Sequence, residues 1–161
     1  MSQIKDPASL ADEIESLYAA AGLMDSGIFA TAKHWKDLLE HPHEGRLGLI
    51  GLYKLRGSHD MRAIGEKDIV HIDREHEIVA DKLCAKYGTK HVYFGIGMGL
   101  WVGSDDIQWD FFSITELPNR EALVGLSMEP EWIRVCQNRI RTLEKHRTYV
   151  VRLPEDGAYL H

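Results

Sequence analysis

Residues 91–103 read HVYFGIGMGLWVG, and the alternation in this stretch decides how the rest of the chain is read. Successive side chains of a strand point to opposite faces. The even positions, Val92, Phe94, Ile96, Met98, Leu100 and Val102, make one apolar face. The odd positions, His91, Tyr93, Gly95, Gly97, Gly99 and Trp101, make a strip that is bare in the middle and carries rings at its ends. Glycine weakens a strand, so such a strip marks the close approach of a ligand or of another backbone. Two readings stand side by side: the floor of a small-molecule pocket, or a bed for a tightly packed helix. Glycines at every second position do not make GxGxxG and no helix follows, which excludes a nucleotide-binding loop.

Upstream of this strand, the pattern predicts a helix over 68–87, ended by Gly88, with Ile69, Ile72, His76, Val79 and Leu83 as its inner stripe. His76 thus falls on the buried face, as a hydrogen-bonded core residue or as the best-placed base of the chain. Before that helix, residues 46–56 (RLGLIGLYKLR) read as a buried strand and 57–67 as a loop. Downstream, a turn at Ser104–Asp106 leads into a strand over 108–117, giving a hairpin. Asp110 stands there between Trp109 and Phe111. A buried carboxylate must be paired or hold its proton more tightly, and the alternative is an exposed edge position.

Pro118-Asn119 opens a short helix over 120–128, and Glu129-Pro130 starts another that runs to about Lys145. Ile133, Cys136, Ile140 and Leu143 form its stripe, with Arg139 at the border and able to reach a pocket. The basic run Arg139, Arg141, Lys145 and Arg147 reads as a solvated face near a helix end. Residues 148–153 make the last strand and 154–161 a polar tail. At the other end, Asp6-Pro7 starts a helix with Leu10, Ile14, Leu17 and Tyr18 as its stripe, closed by Gly22. A second helix over 31–40 is anchored by Trp35, Leu38 and Leu39. Residues 1–45 therefore read as a helical extension to a unit spanning 46–153.

Within that unit the order is strand, helix, strand, strand, helix, strand. This is the α+β, ferredoxin-like βαββαβ pattern, four antiparallel strands with two helices on one face. The other face of the sheet is also apolar and asks for a second layer. A second copy of the chain is the simplest source, so a homodimer is expected.

The 161 residues suit a single domain, and 44% apolar with 27% charged residues is ordinary for a soluble protein. A net charge of −6 argues against nucleic acid as the main partner. No apolar run approaches a membrane span, no signal peptide is visible, and Cys84 and Cys136 form no CxxC. A cytoplasmic setting is expected.

The second half of the chain resembles a group of small bacterial proteins of the dimeric α/β-barrel superfamily, catalogued as a domain of unknown function. The likeness rests on Trp109-Asp110, on Pro118-Asn119-Arg120, on Met128, Pro130, Glu131 and Trp132, and on Arg139, with Tyr53 to Arg56 similar in the first strand. It covers about residues 46–153. The chain departs from the group in having one residue fewer between the Met and the Pro, and Glu116-Leu117 before Pro118. The resemblance implies a cavity between sheet and helices. Relatives use that cavity for cofactor-free oxygenation, isomerisation, cyclisation or lyase chemistry, and some bind haem.

Three functions follow. The first is a cofactor-independent lyase or isomerase acting on a small aromatic or carbonyl compound. His76 would be its base, Asp110 an acid partner, and Tyr53, Tyr93 or Arg139 the groups that hold developing negative charge. Gly95, Gly97, Gly99, Trp101, Trp109 and Trp132 would shape the binding surface. The second is a haem or metal protein, for which the close pairs His41/His43 and His71/His76 lack ligand spacing. The third is a dimeric ligand-binding or interaction module.

Overall fold

Asp6 accepts the Ser9 amide at 3.2 Å and Pro7 takes the first helical position, so α1 (Pro7–Ala20) begins where a cap and a proline dictate. These contacts belong to a computed structural model that describes residues 6–56, 74–96 and 107–154. Beyond α1 the chain turns at Gly22, in the left-handed region at φ 70°. The buried face of α1 is Ala11, Ile14 and Tyr18, while Leu17 of the expected stripe faces outward. In α2 (Ala32–Leu39) Trp35 is buried, and the Thr31 amide donates to His34 Nδ1 at 3.1 Å across the first turn. Ile14, Tyr18, Leu23 and Trp35 share one apolar cluster with Leu47, Leu117, Leu123, Ile133 and Cys136. The N-terminal helices are thus built into the core of the sheet unit.

Four strands, β1 (Leu47–Leu55), β2 (Lys90–Ile96), β3 (Phe111–Leu117) and β4 (Leu143–Arg152), pair antiparallel in the order β2-β3-β1-β4. Helix α3 (Arg74–Tyr87) joins β1 to β2, and α4 (Arg120–Ser127) with α5 (Pro130–Thr142) joins β3 to β4. This is the ferredoxin-like α+β arrangement. Asn119 caps α4 by accepting the Ala122 amide at 2.9 Å, and Pro130 opens α5. Leu47, Leu49, Gly51, Tyr53 and Leu55 of β1 share the helix-covered face with Phe111, Ser113, Thr115 and Leu117 of β3. Ile50 and Leu52 lie on the opposite face with Phe112 and Ile114.

Two expectations are corrected. The odd positions of β2 do not stay on one face. His91 pairs with Thr115, but the next pair is Tyr93 with Ile114, so Val92 is an extra residue in a bulge. The bulge keeps His91 toward the helices and turns Tyr93 and Gly95 to the other side. The last strand also begins at Leu143 rather than Thr148. Leu143, Glu144, Lys145 and Arg147 favour a helix by propensity, yet this segment pairs with the end of β1, Leu143 opposite Leu55 and His146 opposite Tyr53. Lys145 and Arg147 are therefore strand residues on the open face, and the basic run is not one helix surface. The expected segments 68–73 and 97–103 lie outside the described residues.

Candidate functional site

A cavity of about 1160 Å³ lies between the helix-facing side of the sheet, α3, α5 and the segment joining α1 to α2. Leu49, Gly51, Tyr53 and Ser113 line its sheet side; His76, Trp132 and Arg139 come from the helices, and Ile28 and Phe29 from the N-terminal segment. Gly51 makes room for Tyr53, since a Cβ there would stand 2.4 Å from the phenol oxygen. The Tyr53 hydroxyl lies 3.1 Å from Ser113 Oγ. Phe111, Tyr53 and His146 stack across three strands, with ring centroids 4.4 Å and 4.6 Å apart.

Arg139 occupies the centre of this arrangement. Its guanidinium carbon is 5.7 Å from the centre of the Tyr53 ring and 5.4 Å from that of Trp132. Its Nε donates to His76 Nε2 at 2.9 Å. Arginine can only donate, so His76 Nε2 carries the lone pair. Burial, then the charge of Arg139, then His91 lower the His76 pKa to about 2, and the ring stays neutral. Among the described residues no carboxylate pairs with Arg139, and no acceptor meets its two terminal nitrogens.

His146 is also neutral: burial first, then Arg139, lower its pKa to about 4. Its Nδ1 stands 3.2 Å from the Ile28 carbonyl, which can only accept, so the proton is on Nδ1. Nε2 then accepts from Thr148 Oγ1 at 2.8 Å. On the β2 side of the cavity, Cys84 Sγ lies 3.4 Å from His91 Nε2, and His91 Nδ1 lies 3.1 Å from Thr115 Oγ1.

The structure brings His76, Tyr53, Arg139 and Trp132 together at this cavity. Asp110 is placed otherwise. Its carboxylate, 1% exposed, accepts the Leu55 amide at 2.5 Å, stands 3.5 Å from Lys54 Nζ, and does not line the cavity. Its contacts tie the start of β3 to the end of β1 instead of serving His76. Trp109 also lies off the cavity, under the Arg147 guanidinium at 5.5 Å. Tyr93, half exposed, stacks on Phe112 at the edge of the site. Gly95 is no pocket floor, because the Phe112 and Tyr93 rings fill the space over it. Gly97, Gly99 and Trp101 lie outside the described residues.

Four further groups were not legible as site residues. His146 falls between the expected end of a helix at about Lys145 and the expected strand from Thr148, Ser113 carries no pattern, and Cys84 passes for a small apolar residue. His91 stood in the glycine strip without a partner in view. Among the described residues no group of three or more His, Cys, Asp or Glu is placed to hold a metal ion. No described helix is long and apolar enough to cross a membrane.

Fold and cavity together define a ferredoxin-like domain with a helix-covered pocket. The chain is similar to a protein of unknown function from Rhodopseudomonas palustris, solved in methylated form. The TM-score is 0.66 at 20% identity, over 81% of this chain and 97% of that one. A dimeric protein of unknown function and ferredoxin-like fold from Bacteroides fragilis matches with a TM-score of 0.46 at 16% identity, over 68% of this chain and 97% of that one. A Dabb family protein with a ferredoxin-like fold from Mesorhizobium loti matches with a TM-score of 0.47 at 17% identity, over 68% and 99%. No family model matches the chain, and no curated protein matches it.

Proposed function

We propose that the chain is a small-molecule enzyme of acid–base type, a cofactor-independent lyase or isomerase for an aromatic or carbonyl compound that is, or becomes, an anion. The observation that supports this reading is Arg139, a cation set between two rings with terminal N–H groups unclaimed among the described residues. Fixed donors of this kind stabilise an enolate or carboxylate oxygen most when water is excluded. His76 orients the guanidinium through Nε2, and Tyr53 adds a hydroxyl and a flat surface. His76 and His146, lowered to about 2 and about 4, stay neutral at pH 7 and are too weakly basic to hold a proton there, so they act as hydrogen-bonding groups that position Arg139 and the Tyr53 stack.

Titration calorimetry with an aromatic 2-oxo acid and its uncharged amide tests the anion site. The acid should bind the native protein more tightly, and Arg139→Gln should abolish the difference. Deuterium uptake at the carbon next to the carbonyl, followed by NMR, tests the chemistry. Binding without uptake would favour a ligand-binding module. One observation supports that second reading: the Nε2 lone pair of His76 is already engaged by Arg139.

We further infer that the open sheet face pairs with a second copy. It carries Ile50, Leu52, Phe112 and Ile114, with the half-exposed Tyr93 and Tyr149 beside them. Sedimentation should show a dimer, and Ile114→Glu should give a folded monomer. A monomeric native protein would overturn the inference. A reduced, cytoplasmic setting suits Cys84 and Cys136, neither of which is in a disulfide.

A further inference from the structure

The β2 side of the cavity holds a second set of reactive groups. We propose that Cys84 and His91 are a nucleophile and its base, with Thr115 orienting the imidazole, and that they act on a conjugated carbonyl compound. A thiol within hydrogen-bond reach of an imidazole that a third group holds is the geometry of an activated nucleophile. Here Cys84 Sγ is 3.4 Å from His91 Nε2, and His91 Nδ1 is 3.1 Å from Thr115 Oγ1. All three residues line the cavity. The backbone builds the set deliberately: His91 and Thr115 are cross-strand partners, and the bulge at Val92 starts just beyond them.

A second observation points to a ligand at the same place. Thr89 is 6% exposed and lines the cavity, and its Oγ1 is a buried oxygen without a hydrogen-bond partner among the described residues. Buried hydroxyls are seldom left so. The Thr89 amide donates to the Cys84 carbonyl at 2.9 Å, which keeps the hydroxyl beside the thiol. It stands near the Cys84 sulfur without closing a hydrogen bond to it, and a bond between the two would offset in part the upward push of burial on the thiol's pKa. A thiol held protonated by burial needs a base, and His91 stands at the right atom to supply one.

The step balances without an oxidant or a cofactor. The Cys84 sulfur forms a bond to the β-carbon of the conjugated compound while His91 Nε2 takes the thiol proton. The alkene electron pair moves toward the carbonyl oxygen as an enolate. Rotation about the new single bond, then cleavage of the C–S bond and return of the proton to sulfur, regenerates the thiol and leaves the alkene isomerised. This deepens the isomerase reading and rests on it only for the anionic group that Arg139 would hold. The two sites share one cavity, and His91 is near enough to His76 to contribute to its lowered pKa.

Alkylation of the full-length protein by N-ethylmaleimide, read at each cysteine by peptide mass spectrometry, tests the pair. Cys136, 1% exposed in the core, is the internal reference. Cys84 should react at least about tenfold faster than Cys136, and His91→Ala should remove at least about tenfold of that rate, as loss of a positioned base does. Added imidazole should restore the rate in His91→Ala but not in the native protein. His91→Gln, which keeps a polar side chain at the exposed strand edge, should behave like the Ala variant and guards against a folding defect. Equal rates at the two cysteines, or an unchanged Cys84 rate in both His91 variants, would overturn the proposal. Repeating the reaction with maleimidoacetate separates the two readings. If Arg139→Gln leaves the rate ratio of the charged to the neutral maleimide unchanged, the anion site fails while the thiol–imidazole pair stands.

Discussion

Replacing Asp110 discriminates a structural carboxylate from a catalytic one. The side chain is 1% exposed, accepts the Leu55 amide at 2.5 Å and faces Lys54 Nζ at 3.5 Å, while its own amide donates to the Tyr53 carbonyl at 2.8 Å. These bonds clasp the end of β1 where its register with β4 shifts between Lys54 and Leu55. Asp110→Ala leaves a buried amide without an acceptor, a loss of about 1.5–3 kcal/mol for a bond to a charged group. It also strips the partner from a lysine whose side chain is 19% exposed. Breaking a fully buried pair costs up to about 5 kcal/mol, so with Lys54 partly solvated the total is about 3 kcal/mol. For a chain of this size that is a fall in Tm of roughly 6–12 °C. Asp110→Asn keeps an acceptor for Leu55 but not the charge, and should lose about half as much. Urea unfolding followed by tryptophan fluorescence measures both, with the midpoint falling at constant slope. An Ala variant within about 0.5 kcal/mol of the native protein would refute the clasp, since that is the range of inconsequential surface changes. An Asn variant of native stability that no longer binds or turns over ligand would return Asp110 to the site.

Gly51→Ala should unfold at lower temperature and lose ligand affinity together. The new Cβ stands 2.4 Å from the Tyr53 hydroxyl, and moving that ring breaks its contact with Ser113 and its stacking on His146. Overpacking of this kind costs about 1–3 kcal/mol, and a variant with native Tm would show that Tyr53 has room to move. Stability should also fall with acidity below about pH 6.5. His76 and His146 are depressed from 6.5 to about 2 and about 4, so between those values and 6.5 the unfolded chain takes up protons that the folded chain refuses. The carboxylates with lowered pKa, Asp37, Glu75 and Glu129, act only below 4.5. A urea midpoint that does not change between about pH 7.5 and 5.5 would contradict the burial of these rings. Deleting residues 1–45 should leave the remainder unfolded by circular dichroism, because Leu47, Leu117, Ile133 and Cys136 lose Ile14, Tyr18, Leu23 and Trp35 as packing partners. A folded, dimeric remnant would make the N-terminal helices a true appendage.

The elements that local chemistry decides were legible in the sequence. Asp6-Pro7, Thr31, Pro118-Asn119 and Pro130 mark helix starts because caps and prolines act within one turn of chain. The order of periodic segments from Arg46 onward was enough for the ferredoxin-like topology, since few arrangements bury four strands and two helices. Arg139 was legible as a site candidate because α5 holds its register from Pro130, so its face of the helix follows from counting, whereas Trp132 was a candidate through the family resemblance. What tertiary structure decided is the sheet face that each β2 and β4 side chain occupies. A single extra residue, Val92 in β2 or Glu144 in β4, inverts the alternation, and no local propensity marks where the ladder slips. That is why His146 entered the cavity from just past a segment that reads as helix. The separate slip at Val92 leaves His91 on the helix side against Cys84, turns Gly95 away from the pocket and leaves Tyr93 only at its edge. Asp110 shows the same limit: its neighbours left burial and an exposed edge position open, and its partner is a backbone amide fifty-five residues away in the chain. Contacts of that kind exist only once the strands have paired.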